Sequence, residues 1–502
     1  MFHQNLTFHK KMDISLASLL TIIATFLYLS LLILHRKTKL YKPANLPPGK
    51  MGWPIIGETS DFALSRKMGR PEKFMLDRMR RYSPEVFKTS LLGEKMAVFC
   101  GPTGNKFVFS NENKLVKSWL PRSIAKIMMP DWRESSAADK SSRIRRIYSE
   151  FLKPDAVQKY IQVMDSIARQ HLGQECALNP TLKVYPLAKK LMFSTACRLF
   201  MGIEDTTHVE KLSSQFEIVA SGLFSVPIDL PGTGLRRAIE TANHLRNELQ
   251  EIVRQEKLRM SGNKDSRSWN MLSHLLSASD GEGKLLNDYD IASTLLGILI
   301  GSQHTTSSLL TNVVYYLSDH PDVYAKALRE QKEIRKLKRG EEVALDGEDT
   351  KRMKYGRSVM NEVLRLAPPG PGFFRIAIHD INFAGLTIPQ GWKIFWSYNT
   401  THRNPNYFPD PDKFDPSRFE GNGPASFTFV PFGGGPKMCP GSEFARQATL
   451  VFMHNLLIKF KWEKLIPTER IIFVHDVAIP QYGLPIKIQN LPHQNNDGGF
   501  NS

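Results

Sequence analysis

Apolar residues recur every three to four positions along most of this chain, a spacing that predicts helix. Helical stretches are expected over residues 71–82 and 141–151, over 157–201 with short interruptions, and over 208–223, 287–318, 351–366 and 442 to about 460. The helix at 351–366 stops at Pro368-Pro369 and the one at 287–318 stops before Pro321, since proline cannot extend a helix already under way. Strict alternation is confined to short runs. Residues 86–92 and 95–100 read as two strands about the Gly93-Glu94 turn, so a small sheet is expected near the N-terminus. A strand starting at Phe373 and patterns at 380–389 and 392–398 are assigned to that same sheet, and residues 471–488 alternate as strands about a turn at 478–483. The fold class expected is mainly α with small β-sheets.

One apolar run differs in kind. Residues 14–34 are long enough to cross a bilayer as a helix, and the excess of positive charge after the run (Arg36, Lys37, Lys39, Lys42) favours a cytosolic body. A cleaved secretory signal is the alternative, although its apolar core is usually shorter and ends in small residues. Leu46-Pro47-Pro48-Gly49-Lys50-Met51-Gly52-Trp53-Pro54 then makes a stiff hinge. The organisation expected is a leader at 1–13, a transmembrane anchor at 14–34, a basic and proline-rich hinge at 35–54, one large body at 55–492, and a polar tail at 493–502. Within the body, residues 224–234 form an apolar stretch that two prolines keep from being helical. It suits either a membrane-dipping lid or an internally packed loop.

The chain has 502 residues, a formal net charge of +18 and four cysteines. Four cysteines are too few for a disulfide framework, so a reducing compartment is expected. The positive charge lies along helical segments such as 236–264 and 326–339, without a nucleic-acid module. It reads as solvated helix faces, with a patch that attracts an acidic partner or anionic lipid.

Candidate chemistry is concentrated in Phe432-Gly433-Gly434-Gly435-Pro436-Lys437-Met438-Cys439-Pro440-Gly441. Three glycines allow the backbone to pass flat against a large planar ligand, with Phe432 packed on it. Cys439 stands just before a helix, where unpaired N–H groups and the helix dipole favour an anionic sulfur. A lowered thiol pKa and a metal-ligand role are therefore expected. In the 287–318 helix, Thr305 can donate its hydroxyl to the carbonyl of Gly301, and the missing side chain of Gly301 leaves a notch beside it. Glu362 and Arg365, three residues apart, share one helix face. Singly, each feature has a plain reading: a buried cysteine after a glycine turn, a helix-packing patch, an exposed ion pair.

In register, Phe-x-x-Gly-x-basic-x-Cys-x-Gly resembles the haem loop of the cytochrome P450 family, with Phe432, Gly435, Lys437, Cys439 and Gly441 at the cofactor-binding positions and Lys437 where arginine is usual. The resemblance makes Cys439 the thiolate ligand of haem b, a ligand that pushes electron density onto the iron and favours O–O cleavage. Gly301-Ser302-Gln303-His304-Thr305 resembles the family's small-Gly-x-acid-Thr oxygen motif, with Ser302 in place of the glycine and His304 in place of the acid. Thr305 and His304 are thus the candidate catalytic residues; the carboxylate of the relay is missing, and histidine, with a pKa of about 6.5, can also donate protons. Glu362, Arg365 and Arg418, the last within Phe414-Asp415-Pro416-Ser417-Arg418-Phe419, match a buried clamp behind the cysteine loop. Arg375, and one of Arg143, Arg145 and Arg146, match propionate-binding positions.

At finer grain, Gly69-Arg70-Pro71-Glu72-Lys73-Phe74 and Phe109-Ser110-Asn111-Glu112-Asn113-Lys114 are similar to a plant microsomal branch related to beta-amyrin oxidases. The resemblance implies a single-pass enzyme of the endoplasmic reticulum membrane with a cytosolic catalytic domain. Its needs would be haem, O2 and electrons from NADPH through NADPH-cytochrome P450 reductase, its substrate a hydrophobic terpenoid, most of all a triterpene, and its other contact membrane lipid. Pocket walls are expected at 115–127, 218–223, 295–301, 369–374 and 478–483. The alternatives are a haem-thiolate isomerase or dehydratase working without a reductase, oxidation of a diterpenoid or plant hormone, and a weakly active haem-binding scaffold.

Overall fold

The computed structural model describes residues 45–491, apart from 55, 129–136, 224, 226, 263–269, 279–285, 339–342 and 475–476, with five helical positions in the N-terminal run (Ser18, Thr21, Thr25, Tyr28, Leu29). The anchor, leader and tail expected from the sequence therefore lie mostly outside the described residues. Among the described residues no helix is long and apolar enough to cross a membrane. The Pro-rich hinge is fastened to the body: Lys88 donates its N–H to the Pro48 carbonyl at 2.8 Å.

Helices α1 (Thr59–Lys67) and α2 (Pro71–Arg81) lead into the hairpin of β1 (Val86–Leu91) and β2 (Glu94–Phe99). Helix α2 has proline at its start, Glu72 in its first turn and three arginines in its last, which complements its dipole. Then come α3 (Gly101–Ser110), β3 (Val116–Ser118), α4 (Arg122–Met128), α5 (Ala137–Phe151), α6 (Pro154–Gln158), α7 (Ile161–Leu178), β4 (Thr181–Lys183), α8 (Val184–Met201) and α9 (Thr206–Leu223). Next in order are α10 (Gly234–Gly262), α11 (Met271–Ser277), α12 (Asp288–Asp319), α13 (Pro321–Leu337), α14 (Gly347–Arg352) and α15 (Lys354–Leu366).

Helix α12 is the axis of the molecule. Asn287 caps it by accepting the Asp290 N–H at 2.8 Å, and acids occupy its first turn. At 1.5 Å per residue it is about 48 Å long. It packs against α8, α10, α15 and α16 (Ser442–Lys459), and its apolar positions, such as Leu295, Leu299, Leu310 and Val314, are fully or almost fully buried in the main core.

The largest sheet has the order β1-β2-β8-β5-β3, where β5 is Phe373–Ala377 and β8 is Lys393–Trp396. It carries the chain after α15 back alongside the N-terminal hairpin, as expected. Three expectations are corrected. The 380–389 pattern forms a separate hairpin of β6 (Ile381–Phe383) and β7 (Leu386–Ile388), because Ala384 and Gly385 both take positive φ and close a tight turn. The 351–366 helix is broken at Met353, and the carboxylate of Glu330 takes the Tyr355 and Gly356 N–H groups at the new helix start. The 478–483 turn does not join a hairpin: β10 (Ile471–Val474) pairs with β11 (Val477–Pro480), and β12 (Pro485–Asn490) crosses to β9 (Phe460–Lys464) and β4. Glu469 holds that crossing by accepting the Tyr482 N–H at 2.5 Å and the Leu484 N–H at 3.3 Å. The strand β3, paired with β5, was too short to show in the pattern.

Candidate active site

The cysteine loop is stitched by its own backbone. Gly433 donates to Val430 at 3.0 Å, Met438 to Gly435 at 3.0 Å, and Cys439 to the Phe432 carbonyl at 2.9 Å, so the loop closes on itself just before α16. The glycines face protein. A Cβ on Gly434 would stand 2.5 Å from the Phe109 ring, and one on Gly435, at φ +65°, would stand 2.2 Å from the Phe109 carbonyl oxygen. Phe109 in turn meets Trp396 edge-on, with centroids 5.0 Å apart. The glycines therefore let the loop close against α3 and β8. Gly441 has open space where its side chain would be, and what it supplies is an N–H bonded to the Cys439 sulfur.

Cys439 is accessible, whereas Cys100, Cys176 and Cys197 are buried, with thiol pKa values that burial pushes up. The expectation of a lowered pKa at Cys439 is corrected: the protein crowded around the sulfur deprives it of water and raises its pKa. The Gly441 N–H and the charges of Arg145 and Arg446 pull the other way without prevailing. The sulfur is thus accessible although protein surrounds much of it, as in a hollow of the surface. Phe432, in the same loop, carries the Arg446 guanidinium 4.6 Å from its ring centroid.

Cations gather beside this hollow. Of the three candidates on α5, Arg145 reaches the loop, donating to the Met438 carbonyl. Lys437 lies 3.4 Å from Ser142 Oγ, and its pKa is lowered, first by burial and then by Arg145, with Arg375 and Lys117 adding to it and Glu112 opposing. Arg375 is buried and paired with Glu112, which also accepts from Ser118 Oγ at 3.2 Å. Four cations balanced mainly by one carboxylate suit a ligand that brings negative charge. Phe373, on the same face of β5 as Arg375, is 53% exposed beside Trp396. An apolar opening, an accessible sulfur and a cationic rim together fit a haem with its two propionates.

The clamp is assembled as the sequence indicates. Glu362 and Arg365 are both fully buried and joined twice at 2.7 Å, and Arg418 approaches Glu362 at 3.5 Å. Arg365 also donates to the carbonyls of His402 at 2.9 Å, Pro411 at 2.7 Å and Lys413 at 3.0 Å, and Glu362 accepts the Asp415 N–H at 2.8 Å. His402 links the clamp to the loop, since its ring accepts the Val430 N–H at 3.0 Å and stacks on Phe429. Burial, helped by Arg365, pushes its pKa down to about 3, so the ring stays neutral and able to accept. Nothing in the local pattern marks His402 for this task.

On α12, Thr305 Oγ1 donates to the Gly301 carbonyl at 2.6 Å, as expected, and nothing lies within 4 Å of a Cβ built on Gly301. Gly301 is exposed in the middle of a helix that is otherwise largely buried, which marks an open space beside it. The 478–483 segment, expected at the pocket, bonds to this helix through its first residue: the Ala478 carbonyl accepts from Ser308 Oγ at 2.5 Å and from Asn312 at 2.7 Å. His304 meets side chains of two neighbouring helices. Its Nδ1 is 3.1 Å from the Tyr185 hydroxyl of α8 and its Nε2 is 3.7 Å from Glu217 of α9. Glu217 is also 2.8 Å from Lys189 and 3.4 Å from Gln303. Tyr185, Glu217 and Lys189 lie outside every sequence motif.

A family model described as "Cytochrome P450" matches residues 47–487. The chain is 50% identical over 477 residues to a beta-amyrin 28-monooxygenase of Medicago truncatula, covering 95% of this chain and 98% of that protein. It is also 50% identical over 452 residues to a protopanaxadiol 6-hydroxylase of Panax ginseng, covering 89% and 94%. Among solved structures, a retinoic acid bound cyanobacterial CYP120A1 superposes with a TM-score of 0.78 at 29% identity, over 89% of this chain and 100% of that one.

Proposed function

The chain belongs to the cytochrome P450 family, and from that premise we propose that it is a membrane-anchored monooxygenase that hydroxylates or further oxidises a triterpene skeleton. Haem bound by the Cys439 thiolate supplies the activation of O2 when electrons arrive from an NADPH-dependent reductase. The observation that carries this reading is the accessible sulfur of Cys439, closed in by a self-bonded loop and backed by the buried Glu362–Arg365–Arg418 clamp. Arg145, Lys437 and Arg375 are assigned to the propionates, and Thr305 with its Gly301 notch to the oxygen side. One haem-binding domain over 55–492 follows an anchor over 14–34 that inserts into the endoplasmic reticulum membrane. Exposed Trp53, Ile56, Ile228 and Leu230 offer apolar contacts to the same bilayer.

Two relatives at the same 50% identity act on different skeletons or positions, beta-amyrin at 28 in one case and protopanaxadiol at 6 in the other. Overall identity supports a triterpene and leaves the oxidised carbon to be read by experiment. The test is product formation in microsomes that hold the chain and a plant reductase, offered a panel of triterpene alcohols with and without NADPH. Oxidised product only with NADPH is expected, and Cys439→Ala should abolish both product and the reduced-CO band of thiolate-bound haem. Turnover without NADPH would instead point to an isomerase or dehydratase.

A further inference from the structure

The sequence leaves α12 without the carboxylate its position 304 would otherwise supply, and the structure brings one from another helix. Resting on the monooxygenase reading above, we propose that Glu217 is the carboxylate partner of His304, and that Glu217, Lys189 and Tyr185 hold and recharge His304 as the proton source for the notch beside Thr305.

The geometry is specific. One oxygen of Glu217 is shared by Lys189 at 2.8 Å, Gln303 at 3.4 Å and His304 Nε2 at 3.7 Å. The other ring nitrogen of His304 is taken by Tyr185 at 3.1 Å, so the imidazole is fixed from two sides. Tyr185 is itself anchored at the start of α8, where its N–H donates to the Gly483 carbonyl at 3.0 Å. Among the described residues, Lys189 and Tyr185 from α8 and Glu217 from α9 face His304.

Side-chain exposure falls from 38% at Glu217, through 23% at Lys189, to 15% at His304. The group therefore leads inward from solvent to His304 on α12. The helices around it meet through apolar side chains, with Phe193, Phe216, Val219 and Leu299 almost fully buried. Polar groups set into such a contact are costly unless they are paired or used.

The chemistry gives this arrangement a task. For each product, NADPH and one proton deliver two electrons and two hydrogens to O2. One oxygen atom enters the substrate C–H bond and the other leaves as water. If protons arrive at the wrong time or place, the same two electrons and two hydrogens leave with O2 as hydrogen peroxide, and NADPH is consumed without product. In the arrangement proposed, a proton taken from solvent at Glu217 passes across the 3.7 Å contact to His304 Nε2, and the Nδ1 proton leaves to the Tyr185 hydroxyl, which gives up its own onward to the notch. Glu217 is a positioning residue that acts through His304.

The test uses the full-length holoenzyme in microsomes with reductase, comparing wild type with Glu217→Gln, Glu217→Asp, His304→Gln and the pair Glu217→Gln with His304→Asp. Glu217→Gln should keep haem content, the reduced-CO band and KM, while product per NADPH falls by about tenfold or more, peroxide rises and the isotope effect in D2O grows. Glu217→Asp should recover much of the coupling. The paired variant should recover part of it too, since Asp at position 304 can take Lys189 directly. The C–O stretch of the reduced CO complex supplies a readout without turnover: Glu217→Gln and His304→Gln should each shift it, and the two together should shift it less than the sum. Unchanged coupling in Glu217→Gln, or loss of coupling and KM together with no change in isotope effect, would overturn the proposal in favour of a helix-to-helix tie. If no variant and no wild-type preparation shows NADPH-dependent product, the monooxygenase reading fails, and additive C–O shifts would then sink the Glu217–His304 pair separately.

Discussion

Two polar networks serve this site, and they end differently. Behind Cys439, the Glu362–Arg365 pair has no solvent exposure and runs out into main-chain groups: the carbonyls of His402, Pro411 and Lys413, and the Asp415 N–H. On the other side, His304, Glu217, Lys189 and Tyr185 meet one another only through side-chain tips, and all are partly exposed. A network that ends on backbone cannot move unless the chain moves, which suits holding a metal ligand at fixed height. One made of side-chain tips on three helices can re-form around different occupants, which suits timing a proton beside a variable substrate. Rigidity and adjustability are thus divided between the two networks.

The sharpest way to break this comparison is to neutralise one carboxylate in each network. Glu362→Gln leaves the Arg365 guanidinium buried without its counter-charge, and losing one partner of a buried pair costs about 3–5 kcal/mol. Haem content and thermal stability should both collapse in this variant. Glu217→Gln removes a part-exposed charge and should leave both close to wild type. The measurement is haem per protein, with the melting temperature, for the two variants side by side. Equal losses would mean that both networks are structural.

A second contrast uses glycine, again one from each side. The Cβ of Gly434→Ala would collide with the Phe109 ring at 2.5 Å, and overpacking of that kind costs about 1–3 kcal/mol. Gly301→Ala meets no atom within 4 Å and sits inside a helix, where alanine is favoured over glycine by about 0.5–1 kcal/mol. Stability should therefore fall in the first and hold or rise in the second, while the second loses activity because the added methyl fills the notch. Thermal unfolding and turnover of the two variants decide it. A stable Gly434→Ala enzyme would show that the loop has slack the packing around Phe109 does not reveal.

The same division governs what the sequence disclosed. Cys439, the Glu362–Arg365 pair and the Thr305 bond to Gly301 were all legible, because each is a local arrangement: a loop, an i,i+3 pair, an i,i−4 back-bond. Helices were legible for the same reason, to within a few residues at α2, α9, α12 and α16. Glu217, Tyr185, Glu112 and His402 were not, because each finds its partner far along the chain, 119 positions away for Tyr185 and His304 and 263 for Glu112 and Arg375. Helix packing and strand pairing place them, and neither leaves a local signature. The pKa of Cys439 was misjudged for a related reason: helix dipole and neighbouring charges can be read from order, whereas desolvation depends on everything folded around the sulfur.

The last effect concerns pH and isolates one bond of the rigid network. His402 accepts the Val430 N–H only while neutral, and its pKa is depressed from an ordinary value of about 6.5 to about 3. Between those two values the unfolded chain binds a proton at this histidine and the folded chain does not, so protons favour unfolding. Stability is indifferent to this residue above about pH 6.5 and falls as pH drops toward about 3, by up to about 1.4 kcal/mol per pH unit. His454, buried and likewise pushed down to about 3, adds a second contribution of the same sign. His402→Gln keeps an acceptor for Val430 without a titrating ring, so its unfolding free energy should fall less steeply than that of wild type between about pH 6.5 and about pH 5. At neutral pH the variant should be the weaker of the two, because glutamine does not replace the ring stacked on Phe429. Denaturant unfolding of both proteins at several pH values gives the slopes directly. Parallel slopes would place the acid sensitivity elsewhere and detach His402 from the network that holds the cysteine loop.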